Sequence, residues 1–197
     1  MKKVFEITDK KIINDLLASA EYGTLALCAD NKPYALPINF VQVDGDIYFH
    51  GAKKGRKIEI LKENTLAAFS VVKAHAMIQS YFSSDEGLAC PATQFFKSIM
   101  IEGQILFVED YGEKICAMDA LMRKLQPEGK YKPFSDETYE KAINATTIYK
   151  LIPKETRAKY KFGQNLSEER FAMILSHLHK RNNPLDHETI KQMQEHA

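Results

Sequence analysis

The strand-like runs between Thr24 and His50 are joined by turns too short for a helical crossover. Thr24 to Ala29 reads as a buried strand, Asp30-Asn31-Lys32 as a turn, and Tyr34 to Val43 as a second strand. Asp44-Gly45 is a tight-turn pair whose residues tolerate positive φ, and Ile47 to His50 follows as a third strand. Parallel neighbours would need long connections, so these strands form an antiparallel sheet. Pro37 sits where a missing N–H is tolerated, near a strand start or at an irregularity.

Helices surround this pattern. Thr8-Asp9 caps a helix through Ala20, with Ile12, Ile13, Leu16 and Leu17 on one apolar face. Arg56 to Glu63 reads as a second helix and Gly112 to Leu125 as a third. Asp136 or Ser135 caps another, to Ile143. Further strands are expected at Ala67 to Val72 and Phe96 to Val108, then as two separate runs, Thr146 to Pro153 and Arg157 to Phe162. Met77 to Phe82 is strand-like before the turn-rich Ser83 to Gly87. From Asn165 the chain turns helical and polar. Ser167 opens a helix to Lys180, Asn182-Asn183-Pro184 breaks it, and Asp186 starts the last helix. The expected class is α+β: a small antiparallel β-barrel with peripheral helices. A main domain spans 1–163, and a C-terminal helical extension spans 164–197.

Composition excludes several functions. A net charge of +1 leaves no broad field to attract nucleic acid or an anionic membrane. No apolar run approaches membrane-spanning length. Met1-Lys2-Lys3 looks like a signal-peptide start, but Val4 to Lys10 carries charges where an apolar run should follow. Cys28, Cys90 and Cys116 are odd in number and widely spaced, which suits a reducing cytoplasm and gives no metal pattern. His177 and His179 point to different helix faces, and no His/Asp/Glu spacing argues for a metal. Both G-x-x-x-x-G-K-[ST] and G-x-G-x-x-G are missing, so neither a P-loop nor a nicotinamide-binding unit is supported.

One motif concentrates charge. Tyr48-Phe49-His50-Gly51-Ala52-Lys53-Lys54-Gly55-Arg56-Lys57 runs from a strand through a turn with two glycines and four cations into a helix start. Glycine permits close approach to a ligand, the cations supply charge-assisted donors, and a helix start adds free N–H groups. Lys53, Arg56 and Lys57 can converge on one phosphate there. As a basic turn between a strand and a helix, the same residues also suit a solvated surface.

Four blocks carry a family resemblance. Gly23-Thr24-Leu25-Ala26, Pro33 to Phe40, Ile47 to Lys57 and Lys97 to Gln104 resemble the flavin-binding split-barrel proteins. That family includes pyridoxamine 5′-phosphate oxidase, and the nitroimidazole-resistance-like branch is the nearer match. The resemblance spans residues 10–153 and implies an FMN-binding split β-barrel. It also implies a homodimer with FMN in clefts between subunits. Lys53, Arg56 and Lys57 would hold the FMN phosphate with the Ser98 hydroxyl. Pro37, Ile38, Asn39 and Phe40 would run beside the isoalloxazine ring, and His50 and Ala52 beside the descending cofactor chain. For His50 a structural role on the cofactor side is expected rather than proton transfer.

The implied function is a cytoplasmic FMN-dependent oxidoreductase acting on a small organic substrate, with nitroaromatic reduction the most concrete option. Pyridoxamine phosphate oxidation is not expected, because the substrate-binding residues and the arginine-and-histidine ending of the true oxidase are not found. No catalytic residue is assigned. The alternative is a non-catalytic flavin or haem carrier or sensor, with His75 or a tail histidine as the axial ligand. The helical tail can cover the cleft, strengthen a dimer or pack outside.

Overall fold

The computed structural model describes residues 2–196. In chain order it forms β1 (Glu6–Ile7), α1 (Lys10–Ser19), β2 (Tyr22–Ala29), β3 (Lys32–Asn39), β4 (Val41–Val43) and β5 (Asp46–Gly51). There follow α2 (Arg56–Glu63), β6 (Leu66–Ile78), β7 (Thr93–Val108), α3 (Tyr111–Leu125) and α4 (Glu140–Ala145). The chain closes with β8 (Thr147–Lys161), α5 (Glu168–Arg181) and α6 (Pro184–Glu195). The sheet runs β3-β2-β6-β7-β8-β5-β4, with β1 on β8.

Local chemistry explains most boundaries. Asp30 and Asn31 at φ 50° and 57°, then Asp44 and Gly45 at φ 51° and 93°, make tight turns that match strand twist. The Asp110 carboxylate accepts from Glu113 N at 2.7 Å and starts α3. The Asp136 carboxylate likewise accepts from Thr138 N at 2.9 Å, starting the 3-10 turn that leads into α4.

Four sequence expectations need correction. The Tyr34–Val43 strand is interrupted at Phe40, so it becomes β3 and β4. The two late strands are one, β8. Its start pairs with β5 (Ile47↔Leu151) and its end with β1 (Glu6↔Lys159), so pairing carries the chain through Pro153 and an exposed middle. Strand β6 reaches Ile78 and then gives way to a 3-10 turn at Ser80–Phe82, where Met77 to Phe82 had read as strand. Helix α6 starts at Pro184. Asn183 caps it, and Asp186 is the third helical residue, closing the capping box.

The described chain divides into two compact units. One holds Lys10–Val71 and Ile99–Arg157. Its core includes Leu25, Phe40, Ile47, Phe49, Phe69, Ile101, Ile105 and Tyr149, all buried. Burying each large side chain contributes about 1.5–3 kcal/mol. Phe49 stacks on Tyr149 with centroids 5.1 Å apart, and Phe40 meets Phe69 edge-on at 4.9 Å. Val41, Tyr48, Ile148, Ala117 and Leu121 seat α3 in the same unit.

The other unit comprises the N-terminal residues through Asp9, Val72–Ser98, and the chain from Ala158 onward. Here the Arg181 guanidinium donates through Nε to Asp186 Oδ2 at 2.9 Å and through Nη2 to Oδ1 at 2.5 Å. Arg181 Nη1 also donates to Met77 O at 2.9 Å and Gln79 Oε1 at 2.7 Å. Ala76 N donates to the Thr189 hydroxyl at 3.0 Å, fastening α6 to β6.

Candidate functional site

The basic turn is built on the pairing of β5 with β8. Gly51 lies opposite Thr147 and Phe49 opposite Tyr149. The Tyr149 hydroxyl donates to Ala52 O at 3.3 Å, holding the chain as it leaves the strand. The Lys57 ammonium lies 4.3 Å from the Tyr149 ring centroid and 5.7 Å from that of Phe49. Gly51 is what lets it sit there, since a Cβ at that position would fall 2.3 Å from Lys57 Nζ.

Gly55 caps α2 at φ 116° and ψ 173°, a conformation that favours glycine. Ile58 N and Glu59 N both donate to Gly55 O, at 2.9 and 3.2 Å. Arg56 N and Lys57 N then make no hydrogen bond among the described residues. Burial pushes the Lys57 pKa down, and no carboxylate pairs with it among the described residues. Lys53 Nζ donates to Asn144 O, and the Arg56 guanidinium lies 4.7 Å from the Tyr34 ring centroid. His50, opposite Ile148 near the end of β5, keeps part of its surface exposed while its ring is partly desolvated. Burial of its ring, then the Lys57 charge, lowers its pKa and keeps the imidazole neutral near pH 7.

The β3 residues lie on the edge strand. Pro37 is opposite Thr24, Ile38 opposite Gly23 and Asn39 opposite Tyr22. Pro37 costs the sheet nothing there, because an edge strand has one row of N–H groups unpaired. Pro37 and Asn39 are exposed and Ile38 is half-buried. The Asn39 amide already donates to Glu21 O at 2.9 Å, which leaves its Oδ1 free to accept. Phe40 differs: its side chain is 0% exposed and packs into the core of this unit. Tyr34, on the same strand, supports Arg56, so β3 and the start of α2 meet directly.

Lys53, Arg56, Lys57, Ala52 and His50 are thus gathered around one strand-to-helix turn. Ser98 falls in the other unit, half-buried on β7. Beside the turn lies a cavity of about 400 Å³, lined by Lys53, Lys62, Lys114, Thr146 and Thr147 and excluding Arg56 and Lys57. A larger cavity of about 670 Å³ in the same unit, lined by Cys28, Asn64, Glu102 and Lys154 among others, takes in no candidate residue. Sequence reasoning missed Tyr149, Tyr34 and Gly51 as partners of the cations. Only strand register brings them under the charges, and a tyrosine within a strand gives no such signal.

The remaining candidates separate cleanly. His75 is 1% exposed on β6, edge-on to Phe162 at 4.8 Å, and neither ring nitrogen has a hydrogen-bond partner. Burial lowers its pKa to about 4. His177 stacks on Phe82 at 4.6 Å and His196 on Phe162 at 5.9 Å. All three cysteines are exposed free thiols. Among the described residues no group of side chains is arranged to hold a metal, and no helix is long and apolar enough to cross a membrane.

Comparison with known proteins supplies the fold family. A family model described as pyridoxamine 5′-phosphate oxidase matches residues 9–160. A Bacteroides thetaiotaomicron structure, described as a candidate 5-nitroimidazole antibiotic resistance protein, aligns with TM-score 0.64 at 24% identity, covering 78% of this chain and 85% of its own. The FAD and haem binding protein from Mycobacterium smegmatis aligns with TM-score 0.65 at 22% identity, over 79% of this chain and 73% of its own. The flavocytochrome Anf3 from Azotobacter vinelandii aligns with TM-score 0.69 at 19% identity, over 87% of this chain and 78% of its own. No curated protein matches the chain. The fold is the α+β split barrel with its antiparallel sheet and peripheral helices.

Proposed function

The chain belongs to the pyridoxamine 5′-phosphate oxidase family, and from that premise we propose that it is an FMN-dependent oxidoreductase acting on a small organic substrate. The observation that carries this is Lys57: a half-buried ammonium with no carboxylate partner among the described residues, on a helix whose first two amides, those of Arg56 and Lys57, are left free by the Gly55 cap. A phosphate dianion satisfies all three groups at once. Lys53 and Arg56 add charge at the rim. Riboflavin without its phosphate should therefore bind far more weakly than FMN.

The residues present fit that group. Pro37 and Ile38 offer an apolar wall, and Asn39 Oδ1 an acceptor, for a flat ring. Phe40 contributes its main chain, since its ring lies in the core. When bound, FMN supplies hydride transfer. The protein's part is to anchor the phosphate, orient the ring and exclude water. Neutral His50 can hydrogen-bond beside the cofactor chain without adding charge.

We further propose a cytoplasmic homodimer with FMN between subunits, Ser98 joining the phosphate contacts. Nitroaromatic compounds are the substrates to test first, given the resistance-protein neighbour. The test is the absorbance spectrum of the purified protein, then anaerobic reduction and addition of a nitroimidazole. Flavin bands and reoxidation by the compound are expected. A colourless protein that takes up neither FMN nor FAD would sink the reading.

The haem-carrier reading rests on His75, whose unpartnered ring nitrogens are the kind a metal would use. Its burial against Phe162 leaves no open face for a porphyrin. The same spectrum decides: a Soret band, lost on replacing His75 with Leu, would restore the haem reading.

A further inference from the structure

The unit that contains α5 holds a cavity of about 240 Å³, lined by Ser83, Cys90, Thr93, Phe95, Lys161 and Arg170 among others. None of the proposed flavin contacts lines it. Phe95 and Ile174, each 1% exposed, give it an apolar floor. Its two cations meet only neutral acceptors. Lys161 Nζ donates to the Thr93 hydroxyl, and Arg170 Nε donates to Ser83 O at 2.9 Å. Both terminal nitrogens of Arg170 stay uncommitted among the described residues.

No carboxylate lines the cavity among the described residues. Glu168 and Glu169, in the first turn of α5, are exposed outside it. Ser83 fixes the direction of one of the cations. It is only 3% exposed, it lines the cavity, and its carbonyl accepts from Arg170 Nε, which aims the guanidinium at the site. Two half-buried cations facing an apolar floor without an anion carry uncompensated charge. Burial lowers the Lys161 pKa, in keeping with a cation that lacks its counter-charge.

We propose that this cavity binds a small organic carboxylate, gripped by Arg170 and Lys161 with its apolar body on Phe95 and Ile174. Arginine presents a planar fork that matches a carboxylate in two parallel hydrogen bonds. The volume suits a ring or a short branched chain, well below the size of a dinucleotide.

Cys90 at the rim is an exposed thiol and reports on occupancy. The experiment follows iodoacetamide alkylation of the full-length protein by peptide mass spectrometry, with benzoate, benzamide or inorganic phosphate present. Benzoate should slow Cys90 severalfold and leave Cys116 unchanged. Lys161→Met and Arg170→Lys should each raise the half-protecting concentration about tenfold, equivalent to ~1.4 kcal/mol. Circular dichroism checks that both variants fold. Equal protection by benzamide would overturn the proposal, because the cations would then be irrelevant. Protection by phosphate alone, by nothing, or undiminished in both variants would overturn it too.

Discussion

The Lys124 ammonium lies 3.7 Å from the centroid of the Phe40 ring and donates to the Phe40 carbonyl at 3.0 Å. A second bond runs from it to Leu17 O at 2.9 Å, near the end of α1. One cation from α3 therefore ties the last turn of α1 to the break between β3 and β4. That break ends the segment proposed to line the flavin. Lys124→Met should lose two charge-assisted hydrogen bonds and destabilise the protein by about 1–3 kcal/mol, measured by urea unfolding. Burial lowers the Lys124 pKa to about 8. Between pH 8 and the ordinary lysine value the unfolded chain holds more protons there, so stability rises with pH. The wild-type advantage over Lys124→Met should therefore grow from pH 8 to pH 10; a shrinking advantage would refute the assignment.

Lys57 gives the sharpest test of the phosphate site. Lys57→Met keeps the stem that packs on Tyr149 and removes the charge. FMN affinity should fall more than tenfold, about 1.4 kcal/mol or more, while riboflavin affinity stays unchanged. Apo-protein stability should hold or rise, because an unpaired half-buried cation has been removed. Equal losses for FMN and riboflavin would place Lys57 away from the phosphate.

His75 predicts acid sensitivity. Its pKa of about 4 lies below the ordinary histidine value. As pH falls from that ordinary value towards 4, the unfolded chain takes up a proton the native ring refuses, so stability drops. The slope approaches about 1.4 kcal/mol per pH unit at most. His75→Leu should flatten the decline between pH 7 and pH 5 in denaturant titrations, and should cost little at pH 7 because the ring nitrogens have no partners to lose. An unchanged slope would assign the acid lability elsewhere.

Asp186 is 1% exposed and paired with Arg181 through both oxygens. The Arg181 guanidinium holds its carboxyl below the ordinary aspartate range. Asp186→Ala strands Arg181 and removes the capping box of α6, so a loss of about 3 kcal/mol is expected. Hydrogen exchange should show it first in α6 and at Met77–Gln79. Uniform exchange across the chain would show that the tail does not open separately.

Much of the architecture is legible in the chain because it is written in local chemistry. Helix α2 runs over the expected Arg56–Glu63, since Gly55 and the apolar spacing of Ile58 and Leu61 act within one or two turns. The Asp30-Asn31 and Asp44-Gly45 turns were equally readable, because positive φ is a property of those residues. The errors fall where neighbours override local signals. Pro153 reads as a strand end, yet pairing with β5 on one side and β1 on the other carries β8 through it. Tyr34 to Val43 reads as one strand, yet Phe69 and Lys124 claim the Phe40 side chain for the core and the strand breaks there.

The basic turn shows the same limit. Its cations were visible in the sequence, because charge and glycine spacing need no partner to be seen. That Lys57 rests on Tyr149, a residue far along the chain, follows only from the β5–β8 register. So does the use of Gly51 to admit its amine. The cavity of Lys161 and Arg170 was invisible in the sequence, where each is an ordinary surface cation. The sequence by itself determined turns, helix starts and which charges exist. The tertiary structure decided which of those charges lack a counter-ion, because the partners that would neutralise a charge are brought to it, or kept from it, by strand pairing and packing.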